Sequence, residues 1–299
     1  MRAVWSFWSK PFTTGRDSVW LSELHHLLAW ALSVESARRH YPETALFTDD
    51  DGAAMLVDGI GLRFDHVSLE LNALRDHDPE WWALGKIMTY RAQHEPFIHI
   101  DNDVFLWKRL PERMERAPVC AQNPEYFMQG ASYYKPELLE NALLGDGAGW
   151  LPEEWRWYRS MGGVQRAESC GIVGGNDTGF ISNYADQAIR LVEHPANARG
   201  WERLANRSEH NVLIEQYFLS ACIEHRRHHG TPGDDIGIEY LFNSLDDAFV
   251  PMRASEAGYT HLIADSKKSA ELAERLERRV AREYPGLYER CVACAASAL

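Results

Sequence analysis

Across the first hundred residues, short apolar runs alternate with stretches whose apolar residues recur at helical spacing, and this alternation constrains the fold more than any other feature. Val4 to Trp8 reads as a first strand, punctuated by Pro11 and Gly15. Ser18 to Arg39 carries Leu21, Leu24, Leu27, Leu28, Ala31 and Leu32 on a helical period, and Ala45 to Phe47 follows as a second strand. Asp49, Asp50 and Asp51 mark a helix start, and Leu62 to Val67 alternates weakly as a third strand. Glu80 to His94 reads as a helix with Trp82, Ile87 and Tyr90 as buried candidates, and Phe97 to Ile100 suits a buried fourth strand. This order predicts right-handed βαβ crossovers and an α/β fold with a mostly parallel central sheet, binding its ligands beyond the carboxyl ends of the strands.

Later in the chain the order is less regular. A strand is expected near Val119 and another at Cys170 to Val173, with helices at Pro136 to Leu144, Glu153 to Met161, Asn183 to Glu193, His210 to Arg226 and Ser266 to Tyr284. No internal repeat or linker interrupts it, and 299 residues suffice for a large core, so a single domain over 1–299 is expected.

With 31 basic and 44 acidic residues the formal net charge is −13, which disfavours nonspecific binding to nucleic acid or anionic lipid. A phosphate-bearing substrate then needs local cations or a metal ion. No apolar run approaches the roughly 20 residues that span a bilayer, and Met1 to Phe12 does not read as a secretory signal, so the cytoplasm is the expected location. The five cysteines, Cys120, Cys170, Cys222, Cys291 and Cys294, are odd in number and scattered, which reads as thiols. Cys291 and Cys294 form a CxxC, half of a structural zinc site without a second pair, and a plain helical tail is the favoured reading.

The sharpest local feature is Phe97-Ile98-His99-Ile100-Asp101-Asn102-Asp103-Val104-Phe105, a buried strand that delivers two carboxylates to its exit. In extended geometry residues two apart project to the same side, about 7 Å apart between Cα atoms. Mg²⁺ and Mn²⁺ prefer oxygen ligands and share their remaining positions with water and phosphate oxygens. A polar turn after a strand is the competing explanation.

These residues resemble the DxD motif of GT-A glycosyltransferases, particularly the sugar-transferase group with capsular polysaccharide and toxin-like members and uncharacterised bacterial relatives. The resemblance covers most of the chain. It implies a single GT-A domain, Rossmann-like and of the nucleotide-diphospho-sugar transferase kind, with residues 1–110 as the nucleotide-binding half and 111–299 as the half that receives the acceptor and completes the metal site. Val4-Trp5-Ser6-Phe7-Trp8 is similar to the family's first strand, which implies that Trp5 and Phe7 contact the nucleotide base. Trp81 to Tyr90 takes the place of the helix before the motif, and its Lys86 is counted with Asn102 among the donor-binding residues. Asp101 would touch the sugar or ribose and share the cation, and Asp103 would be the main metal ligand.

Gly258-Tyr259-Thr260-His261-Leu262 and Asp265-Ser266-Lys267-Lys268 are similar to the segment in which a histidine completes the metal site and a lysine meets the diphosphate. The implied roles are His261 on the metal and Lys267 and Lys268 on the phosphates. Ala264 stands where many relatives have glycine. A satisfied strand-end histidine and a solvated helix start are the alternatives.

Gly174 to Phe180 resembles the loop that bears on donor sugar and acceptor, where Asp177 would bind hydroxyls or act as a base; an ordinary helix cap explains it equally well. Glu215 lies among apolar neighbours in His210 to Phe218, where a buried carboxylate needs a partner or a task. The resemblance, whose members carry an acidic residue on the corresponding helix beneath the sugar, implies that Glu215 is the catalytic carboxylate, and a solvent-facing glutamate is the alternative. Asp49 to Asp51, the histidines at 225, 228 and 229 with Arg226 and Arg227, and Trp150, Trp155, Trp157 and Tyr158 read as a helix cap, a solvated helix end and core, with nucleotide contact, an anionic acceptor and an acceptor groove as the respective alternatives.

The expected function is a metal-dependent glycosyl transfer from a nucleoside diphosphate sugar to an acceptor hydroxyl, with Mn²⁺ or Mg²⁺ as cofactor. The resemblance favours UDP-sugar and retention of configuration. The acceptor is open among polysaccharide, peptide and small metabolite. A nucleotidyltransferase or metal phosphohydrolase would use the same aspartates, and a catalytically silent sugar-nucleotide-binding protein would share the fold.

Overall fold

The computed structural model describes residues 1–15, 19–128, 130, 133–145, 147–231 and 236–297. The chain is an α/β protein with a mostly parallel central sheet, as the alternation of runs predicts. It divides into two compact units, Met1–Pro79 with Phe97–Leu110 and Pro251–Leu299, and Glu80–Pro96 with Pro111–Val250. No described helix is long and apolar enough to cross a membrane, and all five cysteines are free thiols.

In the first unit, β1 (Arg2–Phe7), β2 (Thr44–Thr48), β3 (His66–Ser68) and β4 (Phe97–Ile100) form a parallel ladder in the order β3-β2-β1-β4. Val4 is opposite both Ala45 and His99, and Leu46 is opposite Val67. Every residue of β2 and β4 is buried, as befits strands covered on both faces. Helix α1 (Ser9–Thr14) follows β1, and α2 (Glu23–Arg38) precedes β2. Helix α2 is buried almost all round because it packs against β5 (Val104–Leu106) and against two carboxyl-terminal helices, α6 (Ala270–Glu283) and α7 (Pro285–Ser297). Strand β5 pairs antiparallel with β9 (Tyr259–His261).

In the second unit, β6 (Val119–Met128) pairs antiparallel with β7 (Val164–Gly175) and parallel with β8 (Ile238–Tyr240). A register shift between Ala121 and Asn123 bends β6. Helix α3 (Leu84–Arg91) packs on α4 (Thr178–Glu193), and α5 (Phe218–His229) packs on the helix Glu153–Ser160.

Several boundaries differ from the sequence expectations for identifiable reasons. The third strand starts at His66 instead of Leu62: Gly61 turns the chain at φ +72, and the Asp65 carboxylate is held by the Thr44 N–H and hydroxyl, both at 2.8 Å. Ser18, the expected start of the first long helix, lies outside the described residues, and α2 begins at Glu23. The helix expected over Ser266 to Tyr284 is a 3₁₀ turn, Ala264–Lys268, followed by α6, whose N-cap is Ser269. The stretch His210 to Arg226 carries a π-helical segment, Leu213–Tyr217, before α5.

Candidate metal centre

The four residues of β4 are buried, and the chain leaves the sheet in a turn closed by the Asp101 carbonyl, which accepts from Val104 N at 3.0 Å and from Ser33 Oγ at 3.0 Å. Strand β5 then pairs Val104 with His261, and Leu262 N donates to the Asp103 carbonyl at 3.0 Å. This short antiparallel ladder is what carries His261, distant in sequence, to the exit of β4. One ligand atom from each of Asp101, Asp103 and His261 lies within 4.8 Å of the others.

Asp103 is 4% exposed, and its two oxygens have different surroundings. Oδ2 is 2.6 Å from Lys267 Nζ. Oδ1 is buried with His261 Nε2 at 3.4 Å, a separation too long to satisfy it as a hydrogen bond would. Burial alone would favour the protonated acid, but the charges of Lys267 and then His261 overcome it and hold the carboxyl well below the usual carboxylate range. A buried, ionised carboxylate oxygen without a donor, facing a second carboxylate and an imidazole, fits a divalent cation of hard or borderline character.

The segment that supplies Lys267 is anchored on the far side. Leu21 N donates to the Lys267 carbonyl at 3.1 Å, and the Trp20 ring lies 5.6 Å from Nζ. Below it His26 is buried, and Trp30 Nε1 donates to its Nε2 at 3.0 Å. Burial, assisted by Lys267, lowers the His26 pKa to about 3, so this ring is neutral near pH 7. Ala264 has φ +49, the left-handed conformation that glycine adopts without penalty.

The residues 1–294 match the family model of DUF6734, described as a family of unknown function. The chain belongs to this family. No curated protein matches it. Among solved structures, it is similar to the galactosyltransferase LgtC in complex with donor and acceptor sugar analogues, with 12% identity, 94% of this chain and 96% of that one covered, and a TM-score of 0.43. It is also similar to an active-site mutant of LgtC, at 12% identity over 96% and 100% of the two chains, with a TM-score of 0.42.

In this DUF6734 member the remaining expected site residues are placed as follows. The Trp5 indole is fully buried and donates to Ser33 Oγ at 3.0 Å, so its ring has no face open to a ligand. Phe7 packs on Trp30, His26 and Phe12 and is also in the core. Asn102 occupies the β4–β5 turn, half-buried, and Lys268 is exposed where Lys267 is not. In the second unit Lys86 Nζ is 2.8 Å from Glu215 Oε1 and donates to the Cys170 carbonyl at 3.1 Å. Asp177 caps α4, accepting from Phe180 N at 2.9 Å.

His99 was not singled out by the sequence reasoning. Its Nε2 is 2.9 Å from Ser6 Oγ and its Nδ1 is 3.6 Å from Asp101 Oδ1, an arrangement suited to orienting that carboxylate. The signal was available, since a lone histidine interrupts an otherwise apolar strand just before the two aspartates. A cavity of about 220 Å³ opens at the carboxyl ends of β1 and β2, lined by Trp8, Lys10, Asp49, Asp51, Asn72 and Arg75 among others.

Proposed function

We propose that the chain is a metal-dependent glycosyltransferase that transfers a sugar from a nucleoside diphosphate sugar, in the first instance a UDP-sugar, to an acceptor hydroxyl. The observation that carries the reading is the convergence of Asp101, Asp103 and His261 at the carboxyl end of β4, with Lys267 against Asp103. Those three residues would hold Mn²⁺ or Mg²⁺, and the ion would supply positive charge to the two phosphates of the donor. Lys267 adds a cation able to offset the charge of the leaving diphosphate, and His99 orients Asp101. The nucleoside is assigned to the cavity at the ends of β1 and β2, because open parallel sheets bind ligands beyond the carboxyl ends of their strands. Glu215 keeps the role of catalytic carboxylate in this reading, supported by a buried Oε2 that makes no hydrogen bond while Oε1 is held by Lys86 and Tyr90.

The test is a calorimetric titration with UDP, GDP and their sugars, with and without Mn²⁺, on the native chain and on Asp103→Asn. Nucleotide binding that needs both Mn²⁺ and Asp103, followed by release of free nucleoside diphosphate from one donor, is the expected result. Metal-independent binding would instead favour the silent sugar-nucleotide-binding reading, and equal or absent binding in both proteins would overturn the assignment.

A further inference from the structure

The Lys267–Asp103 contact is both short and sheltered: the atoms are 2.6 Å apart, with side chains only 18% and 6% exposed. The ammonium therefore neutralises the same carboxylate that the cation reading assigns as a ligand. A dication and an ammonium on one buried carboxylate repel strongly, because the interior screens them far less than water does. Asp101 and Asp103 supply two negative charges, so a dication beside Lys267 leaves one positive charge in excess, which favours release of the lysine. Lys267 is also on the segment that supplies His261, and between the two lies Ala264 with its left-handed φ of +49.

We infer that Lys267 is an internal counterion of the site, which balances Asp103 while no divalent cation is bound and is displaced from Oδ2 when one binds. The inference rests on the cation-site reading above. Once displaced, the ammonium needs a new partner, since a part-buried charge without one is costly. A phosphate anion at the cation supplies it. The consequence is linkage: cation binding prepares the site for the anion, and by reciprocity the anion tightens the cation. Until the cation is present the lysine also keeps a buried carboxylate from standing uncompensated.

Mn²⁺ is titrated calorimetrically into the native chain, Lys267→Met and Lys267→Arg, in buffer without phosphate. Removing the competing ammonium is expected to tighten Mn²⁺ by about tenfold in Lys267→Met, within the roughly 5–150-fold span of ligand couplings, while Lys267→Arg stays near native. Unchanged or weaker Mn²⁺ binding by folded Lys267→Met overturns the inference alone. Absence of Mn²⁺ binding by the native chain overturns the cation site and the inference with it. A second measurement uses only the native protein and so does not depend on the variant's folding: acetylation of Lys267, followed by mass spectrometry with and without Mn²⁺. Displacement predicts faster acetylation with Mn²⁺, and an unchanged or slower rate contradicts it.

Discussion

Lys86 Nζ lies 2.8 Å from Glu215 Oε1, and Tyr90 Oη donates to the same oxygen at 2.7 Å. The glutamate is completely buried and sits on the π-helical segment Leu213–Tyr217, a distortion frequent at functional sites. Removing one member of such a pair leaves a buried charge without a partner. Lys86→Met should therefore cost about 3–5 kcal/mol of stability, whereas Lys86→Met combined with Glu215→Gln should recover much of it. Urea unfolding of the native chain, both single variants and the double variant closes the cycle, and additive effects would show that the two residues are not coupled.

Ala264 is the one non-glycine residue with positive φ among the described residues. An L-residue in that conformation carries about 1–2 kcal/mol of strain, and glycine relieves it at the expense of about 0.4–1 kcal/mol through the unfolded chain. Ala264→Gly should accordingly stabilise by about 0.5 kcal/mol, and Ala264→Val should destabilise by about 1 kcal/mol or more. Denaturant midpoints of the three proteins check the sign.

His26 gives a pH dependence of known direction. Its pKa falls from 6.5 to about 3 on folding because the ring is buried. Between those values the unfolded chain binds more protons, so the contribution is complete above pH 6.5 and is lost as pH falls toward 3. The slope reaches about 1.4 kcal/mol per pH unit in that window. Comparing native and His26→Gln stability at pH 7 and pH 5 tests it: the native chain should lose more, and parallel losses would refute the assignment.

Gly52 has no room for a side chain. A Cβ there would overlap Thr48 Oγ1 and come within 2.8 Å of Phe7 Cδ1 and 2.9 Å of Asp49 Oδ1. Thr48 Oγ1 already donates to the Phe7 carbonyl at 2.7 Å, and Asp49 Oδ1 accepts from Gly52 N at 2.8 Å, so neither can move freely. Gly52→Ala should destabilise by about 1–3 kcal/mol, as overpacking does, which thermal unfolding would detect.

Particular residues show where sequence reading succeeds and where it stops. Asp101 and Asp103 were legible because two carboxylates directly follow a buried apolar run, a local signal, although the structure carries them in a turn closed by Val104 N and the Asp101 carbonyl and not on an extended strand. Lys86 and Glu215 were each noticed separately, but their pairing was not, because contact between residues so distant in sequence has no local signature. Asp177 could be read as a cap or a base, and its bond to Phe180 N is what assigns it to the start of α4. Trp5 and Phe7 were placed on the correct strand, yet the side that each ring faces depends on α2, which covers that strand with Ser33, His26 and Trp30.

By itself the sequence determined the α/β class, the mostly parallel sheet and the acidic residues that follow β4, because hydrophobic periodicity and the composition of a strand exit are written locally. Only the tertiary structure decided that β9 pairs with β5 and so sets His261 beside Asp103, and that Lys267 rather than Lys268 meets that carboxylate. Strands of three residues carry too little periodicity to be read. Their pairing is fixed by burial and by backbone hydrogen bonds between distant segments, which come into existence only when the chain has folded.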